Sequence, residues 1–499
     1  MSGDGTEAAR LPARRSDARS SAALAVLARP AVHVPLLLAL GGVFCLVRVA
    51  SQPLDGDPAM YATIARTIAR TGEWTHLTCN GDPYLNKPPL HFWLNALVFR
   101  LLGATTWTAT LVPGLLGVVD VALLYVLCRI TLHDWRAAFA AAIVYLTTPE
   151  VIHWSRGVHL ETLVTFWVLL GVAAAFRSVE RPAATALVGI AAVGGLLAKG
   201  PQGLFPAALA LVLWARDGLL RERLWSRYAL VGVAVALVAV GPWLWARTVE
   251  GTGFAQAYFG GQIGHALFGA RVRGRGPLWY LVKIVRTYWP WLPVAAVGLM
   301  MLGREWRRSL GARTWVAYAA IVFVVISFTA GRRGRYLFQL YPAFAAAAGV
   351  ALAAASERVP RLLHWLVVPA VVAALAVAWV GERVSKTQAA HSREALEIAH
   401  ALDGGDDVVL ITRATQWGEP QFGKILGFYS RPLLYACRAT CVEEAGAGRR
   451  IVARTDELDG VVDALVTAGL LERGAAGDAI GLRTPSLALL RLPSTRAAR

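Results

Sequence analysis

Long apolar runs separated by short polar segments dominate this chain. Eleven runs come close to the roughly 20 residues that a helix needs to cross a bilayer. They lie at 31–50, 107–130, 137–149, 160–177, 183–198, 203–215, 228–246, 287–303, 314–330, 337–355 and 362–380. The apolar segment Pro88–Gly103 is shorter and lies between polar loops, as is typical of an interfacial or re-entrant helix. The pattern therefore predicts an α-helical polytopic membrane protein with about 11–13 spans.

The pattern changes after Gly381. Short β-like runs (DDVVLIT, PLLYA, RRIVART and LALLRL) alternate with helix-like stretches such as SREALEIAHAL and GVVDALVTAGLL. This alternation predicts a small α/β domain over residues 381–499. The polar stretch 1–29 is predicted to be a disordered cytoplasmic N terminus. Residues 30–380 would form the membrane domain, with a first external loop at 51–106.

Composition supports a membrane protein. Hydrophobic residues make up 56% of the 499 residues and charged residues 16%, whereas soluble domains have roughly 25% charged residues. Mean hydropathy is +0.50. The net charge of +18 does not indicate nucleic-acid binding, because arginines collect in loops on one side of the predicted spans, as the positive-inside rule expects for the cytoplasm. These basic groups lie at 129–136, 177–181, 216–227, 304–313 and 358–361.

This topology places the C-terminal domain outside the cytoplasm. Five cysteines are too few for a disulfide framework. Cys437 and Cys441 would lie in the external domain, where a local disulfide between them is permitted. A zinc site is less favoured, since no further cysteine or histidine lies close to them in sequence.

A second basic set falls on the external side, against the insertion bias. A binding role explains these charges, and anchoring to lipid headgroups is the alternative. For the run 271–275 both interpretations are equally good, whereas binding is favoured for Lys87, Lys199 and Arg335, which lie between apolar turns. The complete set is Lys87, Arg156, Lys199, Arg271, Arg273, Arg275, Arg332, Arg333 and Arg335.

Acidic residues lie in two external segments. Asp55 and Asp57 follow the first span. A helix starting near Pro58 would place Asp57 at or near its N-cap. Helix capping is therefore the structural alternative to a catalytic role for Asp57. Glu161 lies at the outer end of a span, close to Arg156 and His159, where it could be merely interfacial. Together these residues predict an outer cavity in which a base activates a nucleophile and cations hold a phosphate.

Five segments in order resemble a known family. They are DPAMYATIA from Asp57, GDPY followed by KPPL and Trp93, SRGVHLE ending at Glu161, LLAKGPQGL around Lys199, and GRRGRYLFQLYPA around Arg335. This series resembles the GT-C glycosyltransferases of the bacterial aminoarabinose transferase and protein O-mannosyltransferase group, glycosyltransferase families 39 and 83. The similarity extends over residues 30–355. Two positions depart from the family pattern, since Pro58 replaces an acid and Glu161 stands where aspartate is common.

The resemblance implies transfer of a sugar from a polyprenyl phosphate to a lipid, glycan or protein acceptor at the outer face of a bacterial plasma membrane, with inversion. Asp57 would be the general base, Glu161 would orient the acceptor or a divalent ion, and Asp55 would stand in for the missing acid. The phosphate would contact Lys87, Lys199, Arg332 and Arg335. The substrate-binding residues would be Tyr61, Tyr84, Arg156, His159, His265 and Tyr336.

The same interpretation expects membrane lipids as partners and no nucleic acid. It expects no obligatory cofactor and leaves a divalent metal and its ligands open. His265 lies in an external loop, where a solvated side chain is the alternative to a substrate contact.

Three other functions fit parts of the pattern. A lipid or sugar transporter would need ionisable residues at span centres and repeated halves, whereas here the charges concentrate at one face. A purely structural membrane protein gives no reason for the ordered KPPL, KGP and RYL segments. An enzyme of the O-antigen-ligase type, which uses pyrophosphate-linked glycans, is the alternative within catalysis.

Overall fold

The computed structural model describes residues 30–47, 49, 53–249, 253–269, 276, 278–359, 361–380, 386–402, 409–412, 422–437 and 449–492. Three predictions fall on residues outside these ranges: the disordered N terminus at 1–29, the basic run at 271–275 and the disulfide that would use Cys441.

Helices account for most of the described chain. The first half contains α1 Pro30–Leu46, α2 Gly56–Thr71, α3 Leu90–Leu102, α4 Thr106–Leu132, α5 Trp135–Leu146, α6 Pro149–Ser155, α7 Glu161–Glu180, α8 Ala184–Lys199, α9 Phe205–Arg216, α10 Leu220–Leu224, α11 Arg227–Ala239 and α12 Gly241–Val249. The second half of the membrane domain contains α13 His265–Phe268, α14 Trp279–Thr287, α15 Leu292–Arg304, α16 Leu310–Phe328, α17 Tyr341–Arg358 and α18 Leu362–Val380. A π-helical segment, Gln256–Gly264, precedes α13, and 3-10 turns at Pro201–Leu204 and Gly334–Leu340 precede α9 and α17.

Several of these helices can span a bilayer. Five are long and apolar enough by length and composition: Thr106–Leu132, Glu161–Glu180, Arg227–Arg247, Leu310–Phe328 and Gly334–Arg358. Five shorter apolar helices accompany them in the described chain, including α3, which covers the short segment that the sequence predicted as interfacial or re-entrant. The fold class of a helical membrane protein is thus confirmed, whereas the number of spans stays a prediction.

Small residues allow the membrane helices to pack closely. Helix α17 lies between α5 and α15. A Cβ atom added at Gly349 of α17 would lie 2.2 Å from the carbonyl oxygen of Ala137 in α5, and one added at Gly298 of α15 would lie 1.8 Å from that of Ala347. Backbones that approach this closely leave no room for larger side chains, which explains the alanine-rich sequence of α17.

The first external loop folds into α2, a short hairpin and α3. The hairpin pairs β1 Thr78–Cys79 with β2 Asp82–Pro83 through a two-residue turn in which Asn80 and Gly81 have φ of 52° and 80°. Asn-Gly is the usual sequence for such a turn, because both central residues need positive φ. The loop is therefore a packed unit.

The helix that the sequence predicted near Pro58 begins slightly earlier than expected. Helix α2 begins at Gly56, and its N-cap is Asp55, whose Oδ1 accepts a hydrogen bond from the Gly56 N–H at 2.6 Å. Asp57 lies in the first turn of the helix instead of at the cap. Helix capping, which the sequence offered for Asp57 as the alternative to catalysis, is therefore the role of Asp55.

A small α/β unit follows the membrane helices. Its elements are α19 Lys386–Ala401, β3 Val409–Thr412, α20 Phe422–Tyr429, β4 Leu434–Cys437, β5 Arg450–Arg454, α21 Leu458–Thr467, α22 Ala476–Ala479, β6 Ile480–Arg483 and β7 Leu487–Arg491, with 3-10 turns at Thr455–Glu457 and Arg473–Ala475. The sheet order is β4-β3-β5-β7-β6, in which β3 pairs in parallel with β4 and β5, and β7 pairs antiparallel with β5 and β6. The predicted α/β character of this region is confirmed.

The α/β unit shares a hydrophobic core with the first external loop. Ile64 and Ile68 of α2 belong to one buried cluster with Ile398 of α19, Ile425 of α20 and Leu489 of β7. The membrane helices have a separate core, formed around α4, α5 and α17. The loop that carries Asp57 is thus anchored more to the C-terminal unit than to the membrane core.

Candidate active site

A cavity of about 400 Å³ opens where the ends of several helices meet. Three cations predicted from the sequence line its wall: Lys87 from the loop before α3, Lys199 at the end of α8, and Arg335 in the turn before α17. These residues are far apart in the chain. The fold therefore brings the KPPL, KGP and RYL segments to one place, as the sequence predicted.

Glycine shapes the wall next to Lys199. Gly200 ends α8 with a φ of 95°, a left-handed conformation that favours glycine. A Cβ atom at this position would lie 2.5 Å from the hydroxyl oxygen of Tyr258, which also lines the cavity. The glycine of the KGP segment therefore lets the chain turn sharply while leaving Lys199 at the cavity.

Asp57 does not line the cavity itself, but it contacts Arg335, which does. An Nη1 atom of Arg335 lies 3.3 Å from Oδ2 of Asp57. The Asp57 side chain keeps 44% of its surface exposed, against 16% for Arg335. The carboxylate is thus oriented by an ion pair and still open to an incoming group.

Glu161 pairs with Lys199 inside the protein. The distance from Nζ of Lys199 to Oε1 of Glu161 is 2.7 Å, and the two side chains are only 7% and 2% exposed. Glu161 is the first residue of α7 and Lys199 the last residue of α8, so the pair joins two adjacent helix ends. An ion pair buried this deeply holds both side chains in a fixed geometry, because separating them would leave a desolvated charge.

Two cations of the wall have no acidic partner. No carboxylate of a described residue lies within ion-pair distance of Lys87 or Arg333, and both line the cavity. Burial, together with the like charges of Arg335, Lys199 and Arg333, lowers the pKa of Lys87 to about 8. The cavity therefore presents uncompensated positive charge.

Arg332 does not support its predicted phosphate-binding role. Its side chain is 4% exposed, it donates from Nη2 to the carbonyl oxygen of Ser327 at 3.0 Å, and it is not part of the cavity wall. The neighbouring Arg333 faces the cavity instead. The sequence placed Arg333 in the external basic set but gave it no role in the site.

Tyr61 and Tyr84 are packed side chains, which contradicts their predicted place in a sugar pocket. They are 2% and 4% exposed, and their rings contact each other and Phe92 with centroid distances of 5.6 to 6.4 Å. Neither lines the described cavity. Desolvation raises the pKa of both phenols, so both hydroxyls stay protonated.

Arg156 and His159 do not line the cavity. Arg156 donates from Nη1 to the carbonyl oxygen of Phe44 at 2.7 Å, a contact that ties the α6–α7 connection to α1. The His159 ring packs on Trp154 at 4.6 Å between centroids. Burial lowers the pKa of His159 to about 4 despite the nearby Glu161 carboxylate, so this imidazole is neutral at pH 7. A direct substrate contact for either residue finds no support in the cavity lining.

His265 and Tyr336 do line the cavity, as the resemblance implied. Asn86 and Gln202 also line it, although the sequence gave neither a role. They stand next to Lys87 and Pro201 in the KPPL and KGP segments, so their closeness to those motifs is the signal that could have found them. These amides and the imidazole supply further hydrogen-bonding groups around the cations.

No metal site is evident in the described part of the chain. No three histidine, cysteine, aspartate or glutamate side chains converge there. Asp57 and Glu161 each contact a cation instead. The arrangement thus does not fit a divalent metal held by Asp57 and Glu161, and we derive no step through one.

The sequence matches a family model and a set of curated proteins. Residues 86–245 match the family described as dolichyl-phosphate-mannose-protein mannosyltransferase. A relative from Pseudomonas fluorescens Pf-5, undecaprenyl phosphate-alpha-4-amino-4-deoxy-L-arabinose arabinosyl transferase 1, is 25% identical over 61% of this chain and 56% of its own length. A protein of that name, without the number, from Pseudomonas aeruginosa is 27% identical over 55% of this chain and 51% of its own. The chain spans about half the length of the curated relatives that it matches.

Two solved structures share the fold. The crystal structure of ArnT from Cupriavidus metallidurans bound to undecaprenyl phosphate superimposes with a TM-score of 0.71, over 94% of this chain and all of that one, at 18% identity. The oligosaccharyltransferase of Archaeoglobus fulgidus superimposes with a TM-score of 0.51, over 90% of this chain and 71% of that one, at 12% identity. The chain thus shares the fold of these two structures, and part of its sequence is similar to the protein mannosyltransferase family model and to the aminoarabinose transferases.

Proposed function

We propose that this protein is a membrane glycosyltransferase that takes a sugar from a polyprenyl monophosphate and gives it to an acceptor hydroxyl. The observation that carries the proposal is the charge balance of the cavity. Asp57 and Glu161 are matched by Arg335 and Lys199, while Lys87 and Arg333 have no acidic partner among the described residues. The two cations that have no acidic partner suit a single phosphate group.

The proposed reaction needs only side chains of the site. The hydroxyl oxygen of the acceptor attacks the anomeric carbon from the face opposite the phosphate, and the bond from that carbon to the phosphate oxygen breaks. Asp57 takes the hydroxyl proton, and Lys87 and Arg333 stabilise the charge that grows on the departing phosphate. The proposal uses no obligatory cofactor, because the phosphate is already a competent leaving group.

Glu161 and Lys199 have a supporting role in this proposal. Lys199 lines the cavity, and its buried pair with Glu161 would hold the ammonium group in a fixed place for the donor phosphate. Asp55 is assigned to the N-cap of α2, so it supports Asp57 by fixing the first turn of the helix.

The relatives guide the choice of donor. They are named for undecaprenyl phosphate and 4-amino-4-deoxy-L-arabinose. We propose an undecaprenyl-phosphate-linked sugar as the donor class for this chain. Lipid, glycan and protein acceptors stay part of the proposal, because the cavity lining carries no feature that separates them. The transporter and the pyrophosphate-glycan ligase find no support among the relatives.

The experiment is transfer from an undecaprenyl-phosphate-linked sugar by the purified protein, using an aminopentose and a hexose donor in parallel. Asp57→Asn should lower turnover by at least about a hundredfold, since a general base contributes roughly that much or more. Asp55→Asn is the matched control, because asparagine caps a helix as well as aspartate does. Full turnover in Asp57→Asn would refute the base, and an inactive wild-type protein with both donors would refute the function.

We further propose that the cavity and the α/β unit face the extracytoplasmic side of a bacterial inner membrane. The support is the arginine distribution: groups such as 177–181 and 304–313 lie at the helix ends opposite Glu161 and Lys199. Alkaline phosphatase, active only outside the cytoplasm, should be active when fused to the C-terminal end and inactive when fused after Arg181. The reverse pattern would overturn this orientation.

A further inference from the structure

Helix α20 of the α/β unit ends against an arginine of the first external loop. Arg66 of α2 donates from Nη1 to the carbonyl oxygen of Gly427 at 2.5 Å, and from Nη2 to those of Ser430 and Arg431, the latter at 2.8 Å. These three carbonyls belong to the last turn of α20 and the residues just after it. One guanidinium group therefore caps the C-terminal end of a helix that lies about 360 residues further along the chain.

The electrostatics favour this contact. The last carbonyl groups of a helix have no partner within the helix, and they form the negative end of its dipole. Arg66 is only 8% exposed, so it meets those carbonyls in a poorly hydrated setting where hydrogen bonds from a charged donor are strong. Arg70, one turn further along α2, also donates to the Arg431 carbonyl oxygen. Helix α2 is thereby fixed to α20 along one face.

The residue that ends α20 reaches back to the start of α2. The hydroxyl of Tyr429 accepts a hydrogen bond from the backbone N–H of Leu54 at 2.8 Å and shares another with the hydroxyl of Thr106 at 2.9 Å. Leu54 lies three residues before Asp57. A single phenol therefore ties the chain just before the candidate base to both the α/β unit and the start of a membrane span.

The remaining face of α20 contacts the loop just as tightly. Thr63 of α2 donates to the Lys424 carbonyl oxygen at 2.9 Å, and Asn80 of the hairpin turn donates to the Gly423 carbonyl oxygen at 2.7 Å. A Cβ atom added at Gly427 would lie 2.2 Å from Oδ1 of Asn80. The loop and α20 thus meet through backbone atoms at several points and cannot slide past each other.

We infer that α20 is a positioning element of the active site, in which Arg66 and Tyr429 hold the start of α2 so that Asp57 stays at its place beside Arg335. No member of this contact touches the cavity, so its effect on the reaction would act through the position of Asp57. This inference rests on the proposed function, because it assigns Asp57 the role of base.

The test compares Tyr429→Phe with wild type in the full chain. Without its acceptor, the Leu54 N–H is left unpaired and the segment before Asp57 loosens. Hydrogen–deuterium exchange over residues 54–61 should become faster. Turnover should fall by about tenfold while the donor KM stays unchanged, since misplacing a catalytic group affects the chemical step. Arg66→Lys, which keeps the charge but cannot bridge three carbonyls, should change both readouts in the same direction.

Tyr435→Phe is the matched control. Tyr435 lies on β4 in the same unit, 41% exposed, and its hydroxyl has no hydrogen bond in the described part of the structure. This variant should match wild type in both readouts. The inference is overturned if Tyr429→Phe keeps wild-type exchange or wild-type turnover, or if Tyr435→Phe changes equally. If the wild-type protein transfers no sugar, the proposed function fails, and the exchange measurement alone still decides whether α20 holds the loop.

Discussion

Asp57 and Glu161 each pair with a cation that lines the cavity, and these pairs leave Lys87 and Arg333 of the lining without an acidic partner among the described residues. The Arg335 contact leaves Asp57 partly exposed, whereas the Lys199 contact encloses Glu161 completely. The two carboxylates therefore differ in what they can do. An accessible carboxylate can accept a proton from an incoming group, while a buried paired one can only hold its neighbours in place.

The proposed contact of Lys87 with the donor phosphate would make donor binding sensitive to pH. Burial and three neighbouring cations lower its pKa to about 8, so the lysine is charged below that pH and neutral above it. The phosphodiester of the donor stays negatively charged over this pH range. Its attraction to Lys87 is therefore lost only because the lysine loses its proton. We expect the donor KM to rise as pH increases from 7 to 9 and turnover at saturating donor to change much less. Steady-state kinetics across this range would measure both.

Lys87→Arg is the control for this pH effect. Arginine keeps its charge throughout the range, so the variant should lose the rise in donor KM between pH 7 and 9. An unchanged rise in that variant would assign the pH dependence to another group.

For single residues, the sequence identified the charged motifs but could not show which side chains face the cavity and which belong to the core. Arg332 and Arg333 are adjacent in a segment without helical or strand periodicity, so nothing in the sequence says which one faces the cavity. Tyr61 and Tyr84 fit a sugar pocket as well as a core, and only their burial in the folded loop identifies them as core. Lys87, Lys199 and Arg335, which stand in motifs, line one cavity, while their phosphate-binding role stays a prediction.

Helix α20 is one of the elements that the sequence did not predict. Its sequence, FGKILGFY, has two glycines within eight residues, which argues against a helix on propensity alone. Seven of its eight residues are buried, so packing against α2 and α19 stabilises the helix instead. The edge strand β6 was missed as well, because it is short and its pairing with β7 contains an irregularity. The runs that became β3, β4, β5 and β7 were visible because they are apolar and continuous.

Gly427→Ala should separate α20 from the first loop. The new methyl group would lie 2.2 Å from Asn80 Oδ1 and 2.7 Å from Thr63 Cγ2, so one helix must shift. We expect a loss of about 1–3 kcal/mol of stability, typical of overpacking. Thermal unfolding of the purified protein would measure it.

Gly460→Ala is the matched control for this substitution. Gly460 lies in α21 and nothing stands within 4 Å of its added Cβ atom. This change should be neutral or stabilising, because alanine is the better helix former. Equal unfolding temperatures for the two variants would contradict the close approach at Gly427.

On the scale of the whole molecule, the site lies where three parts of the chain meet: the first loop, the ends of the membrane helices and the turn before α17. The sequence predicted this meeting, since hydropathy placed every motif on one side of the spans. It could not predict that the α/β unit would share a core with the loop, because both contribute ordinary apolar residues with no pairing signal in one sequence.

A chain that ends at residue 380 should insert into the membrane but lose transfer. All the candidate catalytic and phosphate-binding residues would remain, yet Ile64 and Ile68 would lose the partners that bury them. Comparing membrane yield, turnover and exchange over residues 54–61 with those of full-length Asp57→Asn would show whether the defect lies in α2. Near-normal turnover in the shortened chain would contradict this view.

The two-residue turn at Asn80 and Gly81 has a consequence for protein engineering and for evolution. A Cβ atom at Gly81 would lie 2.7 Å from the Tyr435 ring, while Asn80 bonds to the backbone of α20. A chimaera could take this hairpin from a homologue and keep the C-terminal unit of the present chain. Its hairpin and α20 would then not have evolved to fit each other. Substitutions on either side should therefore co-vary among descendants of this gene, although more than 340 residues separate Asn80 from Gly423.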